Sequence, residues 1–378
     1  MPTRSRVLIA GGGVGALEAA LALRALIRER VEVVMLAPER DFTYRPLAVG
    51  QPFGLGPTAR FELSAIAQDR GFALIPDALD SVEADQRKVV TCDGAMIRYD
   101  RLILALGAQP QSAVTGALTF RGPQDAMRIS LALATSASSG GHVVFAAPDA
   151  SVWTLPAYEL ALLTAHWASR RAPRLRISLV TAEPAPLAAF GAQTSAKIGA
   201  VLRAADISVH CNRAACAFAR GRLRLADGDT LSATAVVALP RLTGPAVSGL
   251  PQDDDGFVPV DDRGRVLGED GAYAVGDMTT HPMRQGGLAA QQADAVAHSI
   301  AFAEGADVEP RPYRPALHGM LLTGNTPLYL QTDRDPKEEP AAFWWPSHKI
   351  VSRYLGPYLA SNVLAGGAPR PPVTTART

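Results

Sequence analysis

A glycine-rich turn near the start of the chain constrains its fold more than any other feature. Apolar residues 7–10 run directly into the sequence GGGVGA at 11–16, and a long Ala/Leu-rich segment of helical character follows without a break. A strand, a tight turn and a helix N-terminus in this order form a site for a pyrophosphate group. The sequence therefore predicts a dinucleotide-binding unit at its start.

Each small residue of this loop has a predicted role. Gly11 permits the tight turn, and Gly13 brings backbone N–H groups close to the phosphates because it has conformational freedom and no Cβ. Ala16, in the third small position, lets the helix pack closely on the strand. The candidate phosphate-binding residues are Gly11, Gly13, Val14, Gly15 and Ala16.

The second strand of the unit is predicted at 31–36, and an acidic residue normally ends it and binds ribose hydroxyls. Here the strand-end residue is Ala37, with Pro38 and Glu39 after it. Either Glu39 binds the ribose from two residues further on, or this contact is lost or made by backbone and Glu39 is a solvated turn residue. We take Glu39 and the nearby Arg45 as candidate cofactor contacts.

Length and composition limit the classes of protein that fit. A chain of 378 residues is expected to form two or three domains. Its net charge of +1 gives no support for a general nucleic-acid surface. Three cysteines without a paired framework favour a reducing compartment. The first strand leaves no room for a signal peptide, and no apolar run reaches the roughly 18 to 20 residues of a membrane span. We expect a cytoplasmic protein, soluble or peripheral on the inner face of the membrane.

A second α/β unit follows the first. Short strands with a turn at Asp93-Gly94 lead through residues 73–98 to a buried strand that ends at Gly107. The second unit has predicted strands at 142–147, 175–180, 207–210 and 233–239, with helices at 155–169 and 196–205. Where a second glycine loop would stand, the sequence at 147–153 is APDASVW. This unit therefore looks like a nucleotide domain without its phosphate loop.

A third motif is GAYAVGD at 271–277, a short predicted strand that ends in Gly276-Asp277. A loop and a helix from about Gly287 follow it. The carboxylate of Asp277 can accept hydrogen bonds from a hydroxyl-rich chain. The helix start can direct its N–H groups at an electron-rich ring.

Together these segments resemble the two-dinucleotide-binding-domain flavoproteins, closest to the branch of sulfide:quinone oxidoreductases and type II NADH dehydrogenases. The resemblance rests on GGGVGA, on LALG at 104–107, on YAVGD at 273–277 and on residues 282–300, and it extends to about Leu330. It implies non-covalent FAD. The further contacts that it implies are Ala105 and Gly107 near the domain junction, Gly276 and Asp277 at the ribityl chain or phosphate edge, and the N–H groups around Gly286, Gly287 and Leu288 at the flavin ring.

The expected fold class is α/β, with two Rossmann-like dinucleotide-binding domains and a small C-terminal α+β segment. The FAD-binding domain is expected to be discontinuous, because the glycine loop and the Gly-Asp motif lie on either side of the second unit. The predicted bounds are 1–112 and 243–310 for the FAD-binding domain, 113–242 for the second domain, 311–364 for the C-terminal segment and 365–378 for a disordered tail.

The departures from the resembling families limit the chemistry. The segment in which sulfide:quinone oxidoreductases carry a reactive cysteine contains Thr154 or a neighbour and no thiol. Cys92 stands beside a turn, and Cys211 and Cys216 follow a strand of the second domain, so small structural roles are expected for all three. NAD(P)H is possible but not favoured, because residues such as Trp153 stand where a glycine loop is needed. Glu183 follows the next strand and is the candidate ribose contact.

The C-terminal segment is rich in aromatic and apolar residues. Phe343-Trp344-Trp345-Pro346 precedes a predicted helix at 348–359 that is bent by Gly356-Pro357. In the resembling family this region lines a quinone pocket or lies on the bilayer, so residues 343–359 are a candidate peripheral membrane contact. The alternative is a helix packed on its own core or on the second subunit of a homodimer.

We expect an FAD-dependent oxidoreductase that passes electrons from a small-molecule donor to a quinone or another small acceptor, without an active-site cysteine pair. The sequence assigns no catalytic residue and no metal site. The alternative is a binding or regulatory protein of flavoprotein fold that has lost its redox chemistry. Ala37, the missing second glycine loop and the missing cysteine all favour that alternative.

Overall fold

The computed structural model describes residues 4–28, 30–148, 153–332 and 349–365, with the backbone alone for 362–365. The aromatic run at 343–346 and the tail beyond 365 lie outside the described residues, so their predictions stay untested. The described part has seven α-helices: α1 Val14–Ile27, α2 Leu63–Arg70, α3 Ala126–Ser138, α4 Leu155–Arg171, α5 Ala192–Ala204, α6 Gly286–Ala303 and α7 Leu355–Ala365.

The strands of the described residues fall into seven sheets. In the first half of the chain they are β1 Ser5–Ala10, β2 Val31–Leu36, β3 Asp41–Thr43, β4 Arg60–Glu62, β5 Ala73–Ile75, β6 Leu79–Glu83, β7 Lys88–Thr91, β8 Met96–Arg98, β9 Arg101–Leu104, β10 Gln109–Gln111, β11 Leu118–Thr119 and β12 His142–Ala147. In the second half they are β13 Arg176–Thr181, β14 Ile207–His210, β15 Ala215–Ala219, β16 Arg222–Leu225, β17 Thr230–Ser232, β18 Ala235–Ala238, β19 Arg241–Thr243, β20 Ala272–Ala274, β21 His318–Leu321 and β22 Leu328–Gln331.

The first main sheet has the strand order β20-β9-β1-β2-β5 and is parallel throughout. Its central strands read as continuous apolar runs because a parallel sheet is covered on both faces. One cover is formed by α1 and α6, whose many alanines are buried against each other and the sheet. Strand β20 comes from far along the chain, so this sheet is assembled from segments on either side of the second α/β unit.

The second main sheet has the order β11-β18-β12-β13-β14 and is also parallel. Its core contains large, fully buried side chains, among them Phe145, Tyr158 and Phe190. A three-stranded antiparallel sheet, β15-β16-β17, packs through Leu223 and Leu225 against its other face. The α/β fold class predicted from the sequence is therefore confirmed.

The C-terminal segment differs from its prediction. Strands β21 and β22 form a hairpin around Gly324-Asn325, but residues 349–354 are not helical. Helix α7 begins at Leu355, so Gly356 and Pro357 stand in its first turn instead of bending its middle. Proline is tolerated there because first-turn N–H groups have no partner within the helix. Among the described residues, no helix is long and apolar enough to cross a membrane.

Candidate cofactor site at the edge of the first sheet

The carboxyl ends of neighbouring strands bring the sequence motifs to one edge of the first sheet. The glycine loop follows β1, Glu39 follows β2, Gly107 follows β9 and Asp277 follows β20. In open parallel sheets, ligands bind at this edge, outside the carboxyl ends of the strands. Motifs that are far apart in the sequence therefore lie around one potential binding crevice.

The glycine loop leaves room where a phosphate would lie. Gly11 has φ +122°, and a Cβ there would meet the Ala105 carbonyl oxygen at 2.3 Å, so only glycine fits. Gly13 is extended, with φ −87°, and a Cβ there would contact nothing within 4 Å. The expectation that Gly13 needs conformational freedom is therefore wrong. The open space beside it agrees with its other predicted role, close approach of the backbone to a ligand.

The first turn of α1 keeps its N–H groups available. Among the described residues no side chain caps this helix, which begins at Val14 after the N-cap Gly13. Gly15 lies against the end of β20, and a Cβ there would be 3.0 Å from Val275 Cγ2. Uncapped N–H groups and the positive end of the helix dipole together form an anion site. Ala16 is buried behind it, as the packing role requires.

Glu39 lies beside the glycine loop. Its Oε2 atom would be 3.6 Å from a Cβ at Gly12, and its side chain is exposed. The strand-end position itself is the buried Ala37. The carboxylate of Glu39 thus reaches, from two residues further on, the neighbourhood in which a strand-end acid would stand. This position supports its role as a candidate ribose contact.

Asp277 is half-buried, and one of its carboxylate oxygens can still accept a hydrogen bond. Its Oδ1 is inaccessible to solvent and has no hydrogen-bond partner among the described residues. Burial raises the pKa of Asp277 to about 6, although the positive charges of Arg284 and Arg45 oppose this rise. A buried oxygen without a donor costs free energy, so a hydroxyl-bearing ligand would satisfy a real deficit here.

The Gly-Asp motif is held against its neighbours by backbone hydrogen bonds. The Gly276 N–H donates to Gln292 Oε1 of α6 at 2.5 Å, and the Leu106 N–H donates to Met278 Sδ at 3.4 Å. The second contact joins the turn that contains Gly107 to the segment that follows Asp277. The ends of β9 and β20 therefore form one surface.

The start of α6 is capped in part by its own N-cap residue. Gln285 Oε1 accepts the Leu288 N–H at 2.9 Å, and Gln285 Nε2 donates to the His318 carbonyl at 3.0 Å. The Leu288 N–H is therefore occupied, and the Leu288 side chain is buried in the core. Of the three N–H groups predicted to face the flavin ring, only those of Gly286 and Gly287 are therefore still available.

At the corresponding edge of the second sheet, the candidate ribose contact is already hydrogen-bonded within the protein. Glu183 follows β13, the position of a ribose-binding acid, yet its Oε2 accepts Tyr158 Oη at 2.7 Å and Thr181 Oγ1 at 3.0 Å. Its carboxyl is buried, and the pKa of Glu183 is raised by that burial. Trp153 packs edge-on against Phe190, with ring centroids 5.8 Å apart, which agrees with the role of a core filler.

All three cysteines are free thiols in peripheral positions. Cys92 is exposed after β7, Cys211 follows the edge strand β14, and Cys216 lies on β15 of the small antiparallel sheet. Burial raises the pKa of Cys211, which makes its thiolate scarcer at neutral pH. No group of His, Cys, Asp and Glu among the described residues could hold a metal ion.

Two buried charged groups near the site carried no functional signal in the sequence. Lys349 Nζ lies 2.6 Å from Oε1 of Glu159 on α4, and it also donates to the Pro46 carbonyl at 3.0 Å. Glu18 on α1 accepts backbone N–H groups at the start of α7. Lys349 is therefore the cation of a buried ion pair and does not belong to the helix predicted at 348–359. Its partner is 190 positions away in the sequence, and local periodicity cannot reveal such a pair.

The comparisons with known proteins agree with this architecture. Residues 5–295 match the pyridine nucleotide-disulphide oxidoreductase family. Among curated proteins, none matches the sequence significantly. The sulfide:quinone oxidoreductase of Aquifex aeolicus has a similar structure, with 20% identity and a TM-score of 0.80 over 96% of this chain and 91% of that chain.

More distant structural similarity extends to other oxidoreductases. A ferredoxin reductase for the CYP199A2 system of Rhodopseudomonas palustris is 22% identical, with a TM-score of 0.66 over 86% of this chain and 82% of its own. NDH2 of Plasmodium falciparum, solved with NADH, is 16% identical, with a TM-score of 0.60 over 73% of this chain and 65% of its own. At these identities the likeness shows the shared fold.

Proposed function

The chain belongs to the pyridine nucleotide-disulphide oxidoreductase family, and from this premise we propose that it passes electrons from a small non-nucleotide donor to a quinone or another small acceptor, without an active-site cysteine pair. It is an FAD-dependent oxidoreductase.

The proposal is supported by a contrast between the two sheet edges. Polar atoms lack hydrogen-bond partners at the first edge, whereas the candidate ribose acid is already hydrogen-bonded at the second. At the first edge, the α1 N–H groups are uncapped and Asp277 Oδ1 is buried without a donor among the described residues. The residues present therefore fit FAD. Gly11, Gly13 and Gly15 would hold its pyrophosphate, Glu39 a ribose, and Asp277 a hydroxyl of its ribityl chain.

When bound, FAD supplies the two-electron chemistry, and the protein supplies binding and electrostatics. The N-terminus of α6, with the N–H groups of Gly286 and Gly287, carries partial positive charge that stabilises negative charge nearby. Arg284 and Arg45 add full positive charges to the same surroundings, as their effect on Asp277 shows. Arg284 is held in place over the ring of Phe257, with its Cζ 3.7 Å from the ring centroid.

The second edge supports a donor other than NAD(P)H. A pyridine nucleotide needs a hydrogen-bond acceptor for its ribose hydroxyls. The candidate acceptor, Glu183, already binds the Tyr158 and Thr181 hydroxyls in a buried cluster. The described residues of this edge therefore offer no free strand-end acid for the ribose of a pyridine nucleotide, which supports a different donor.

A quinone acceptor is supported by the structural similarity to a sulfide:quinone oxidoreductase, which extends over 96% of this chain. The three cysteines give no support to a thiol mechanism, since attack on sulfur requires a thiolate at the flavin and all three lie elsewhere. A cytoplasmic location, peripheral membrane contact through residues 343–359 and a homodimer stay proposals. Within that segment, Lys349 is buried in the protein and is not presented to a membrane surface.

An anaerobic reduction experiment tests the proposal. The purified protein is expected to show the absorption of oxidised flavin, and NADH or NADPH should not bleach it. A non-nucleotide reductant should bleach it, and a quinone analogue should restore the colour. A yellow protein reduced stoichiometrically by NADH would contradict the proposed donor. A protein that takes up no FAD would favour the binding or regulatory alternative.

A further inference from the structure

A short strap crosses the candidate cofactor site from the C-terminal end of the chain. We define the strap as residues 349–355, which are extended or turn-like up to the start of α7. Lys349, Ile350, Val351 and Ser352 are all buried within the fold. This degree of burial is unusual for an irregular segment.

The strap touches three of the segments that form the site. An Ile350 side-chain carbon would be 3.3 Å from a Cβ at Gly286, and the Val351 carbonyl oxygen would be 3.5 Å from one at Gly287. The Ile350 N–H donates to Tyr44 Oη at 3.0 Å, and Tyr44 is the residue that precedes Arg45 in the sequence. Ile350 also packs with Val14 of the glycine loop in one apolar cluster. The position of the strap therefore influences the α6 start, the Arg45 segment and the phosphate loop.

Both ends of the strap are fixed by buried carboxylates. At its start, Lys349 pairs with Glu159 of α4. At its end, Glu18 Oε1 accepts the N–H groups of Arg353 at 2.8 Å and Tyr354 at 3.0 Å, and Oε2 accepts that of Leu355 at 2.7 Å. The side chain of Glu18 is fully buried. Its carboxylate thus satisfies backbone donors that the first turn of α7 cannot satisfy itself.

Glu18 lies one helical turn after Val14, on the same face of α1. The helix that begins at the phosphate loop is thus the helix that fixes the strap. We propose that Glu18 is a positioning residue for the cofactor: by binding the backbone of residues 353–355 it holds the strap against the α6 start and the glycine loop, and so slows the release of FAD. This inference rests on FAD binding and is independent of the donor and the acceptor.

Three variants of the full-length holoprotein test this role. Glu18→Leu removes all three acceptor contacts, Glu18→Gln keeps the shape and one acceptor oxygen, and Ser352→Ala removes the 2.6 Å contact from the Gly356 N–H to Ser352 Oγ. Burial raises the pKa of Glu18 to about 7, so the rates are compared well above this pH, where the carboxylate is ionised and its hydrogen bonds are charge-assisted. Under these conditions the rate of FAD release should rise at least about tenfold in Glu18→Leu. The Gln variant should fall between Leu and the wild type, and Ser352→Ala should show a smaller increase.

A second readout follows the strap itself. Trypsin can cut after Arg353 only when the strap opens, since the adjacent Tyr354 N–H is bound to Glu18. Cleavage at this bond, identified by mass spectrometry, should accelerate in the same order as FAD release. The matched control is Asp125→Asn, which weakens a buried carboxylate that accepts the Arg121 N–H at 2.9 Å in the second sheet's domain. It should change neither rate.

The possible outcomes separate cleanly. Parallel increases in FAD release and in cleavage after Arg353, with partial rescue by Gln, support the positioning role. Release at the wild-type rate from a folded Glu18→Leu or Glu18→Gln protein would overturn it, as would an equal increase in Asp125→Asn. If Glu18→Leu does not fold, the Gln and Ser352→Ala variants decide. A wild-type protein without FAD would instead contradict the assigned cofactor.

Discussion

The carboxyl edges of the two parallel sheets have the same architecture but differ in whether their polar groups already have hydrogen-bond partners. At the first edge, the space beside Gly13 is open and Asp277 Oδ1 has no donor among the described residues. At the second edge, Glu183 follows β13, as Glu39 follows β2 in the first sheet, and its carboxylate is buried and accepts hydrogen bonds from the Tyr158 and Thr181 hydroxyls. The fold alone therefore does not make a nucleotide site. What matters is whether polar atoms are left unsatisfied for a ligand.

The largest expected effect is at the first edge. Gly13→Val should abolish FAD retention, because the side chain would fill the space that is open beside the α1 N–H groups. The backbone there is already extended, so the effect should come from lost space and not from strain. Flavin content after purification measures it. Gly199→Val in α5, on the second sheet, is the matched control and should keep its flavin. Full flavin occupancy in Gly13→Val would mean that this loop is not the phosphate site.

Asp277→Ala should have the next largest effect. A hydrogen bond from a hydroxyl group to a carboxylate contributes about 1.5–3 kcal/mol to the binding free energy. The affinity for FAD should therefore fall roughly tenfold or more. Titration of the FAD-free protein with FAD measures the change. An affinity equal to that of the wild type would show that Asp277 does not contact the cofactor, and the role of the Gly-Asp motif would have to be reassigned.

The pH dependence of FAD affinity sharpens the same point. In the free protein, burial raises the pKa of Asp277 to about 6, and a hydroxyl donor binds its ionised form better. FAD binding should therefore release a proton when the pH is below about 6. Affinity should weaken as the pH falls through this range, by at most about tenfold per unit, and be level above it. Asp277→Asn should remove this dependence, and a retained dependence would point to another group.

At the second edge the same kind of change should leave FAD unaffected. Tyr158→Phe removes the 2.7 Å hydrogen bond to Glu183 in a buried cluster. The free energy of unfolding should fall by about 1–3 kcal/mol, because a buried carboxylate loses a donor. Denaturant unfolding measures the loss, and FAD titration should show unchanged affinity. A large loss of FAD affinity would break the distinction between the two edges.

The smallest expected effect is that of the cysteines. A triple variant with Cys92, Cys211 and Cys216 changed to Ser should keep its flavin and any reductase activity of the parent, since the three thiols lie at peripheral positions. Activity assays on the triple and single variants check this. If one single change stopped turnover while FAD stayed bound, a thiol mechanism of the sulfide:quinone oxidoreductase kind would become the leading hypothesis.

Local sequence patterns were sufficient for the parts of the fold that local chemistry determines. The strands at 31–36, 142–147 and 207–210 have the predicted bounds, and α6 starts within one residue of its prediction. Continuous apolar runs and glycine turns signal these elements directly. The glycine loop and Asp277 were predicted in the same way, from short motifs that directly follow a predicted strand.

The rest depends on contacts between distant residues. The apolar spacing at 348–359 predicted one helix, but the buried pair of Lys349 with Glu159 and the capping by Glu18 delay the helix to Leu355. The local sequence around Glu18 gives no sign that this residue caps another helix. Its capping role is visible only once the two ends of the chain are brought together, 337 positions apart. Likewise, the hydrogen bond from Tyr158 to Glu183 could not be predicted, because it depends on where the fold places α4.

The most direct test of the contrast between the two edges is equilibrium binding to the FAD-free protein by calorimetry, with FAD, NADH and NADPH titrated separately under one set of conditions. We expect FAD to bind with a stoichiometry of one per chain, and NADH and NADPH to produce no binding signal before or after FAD is loaded. Saturable binding of NADH or NADPH, or an absence of FAD binding, would contradict the assignment of one open and one closed site.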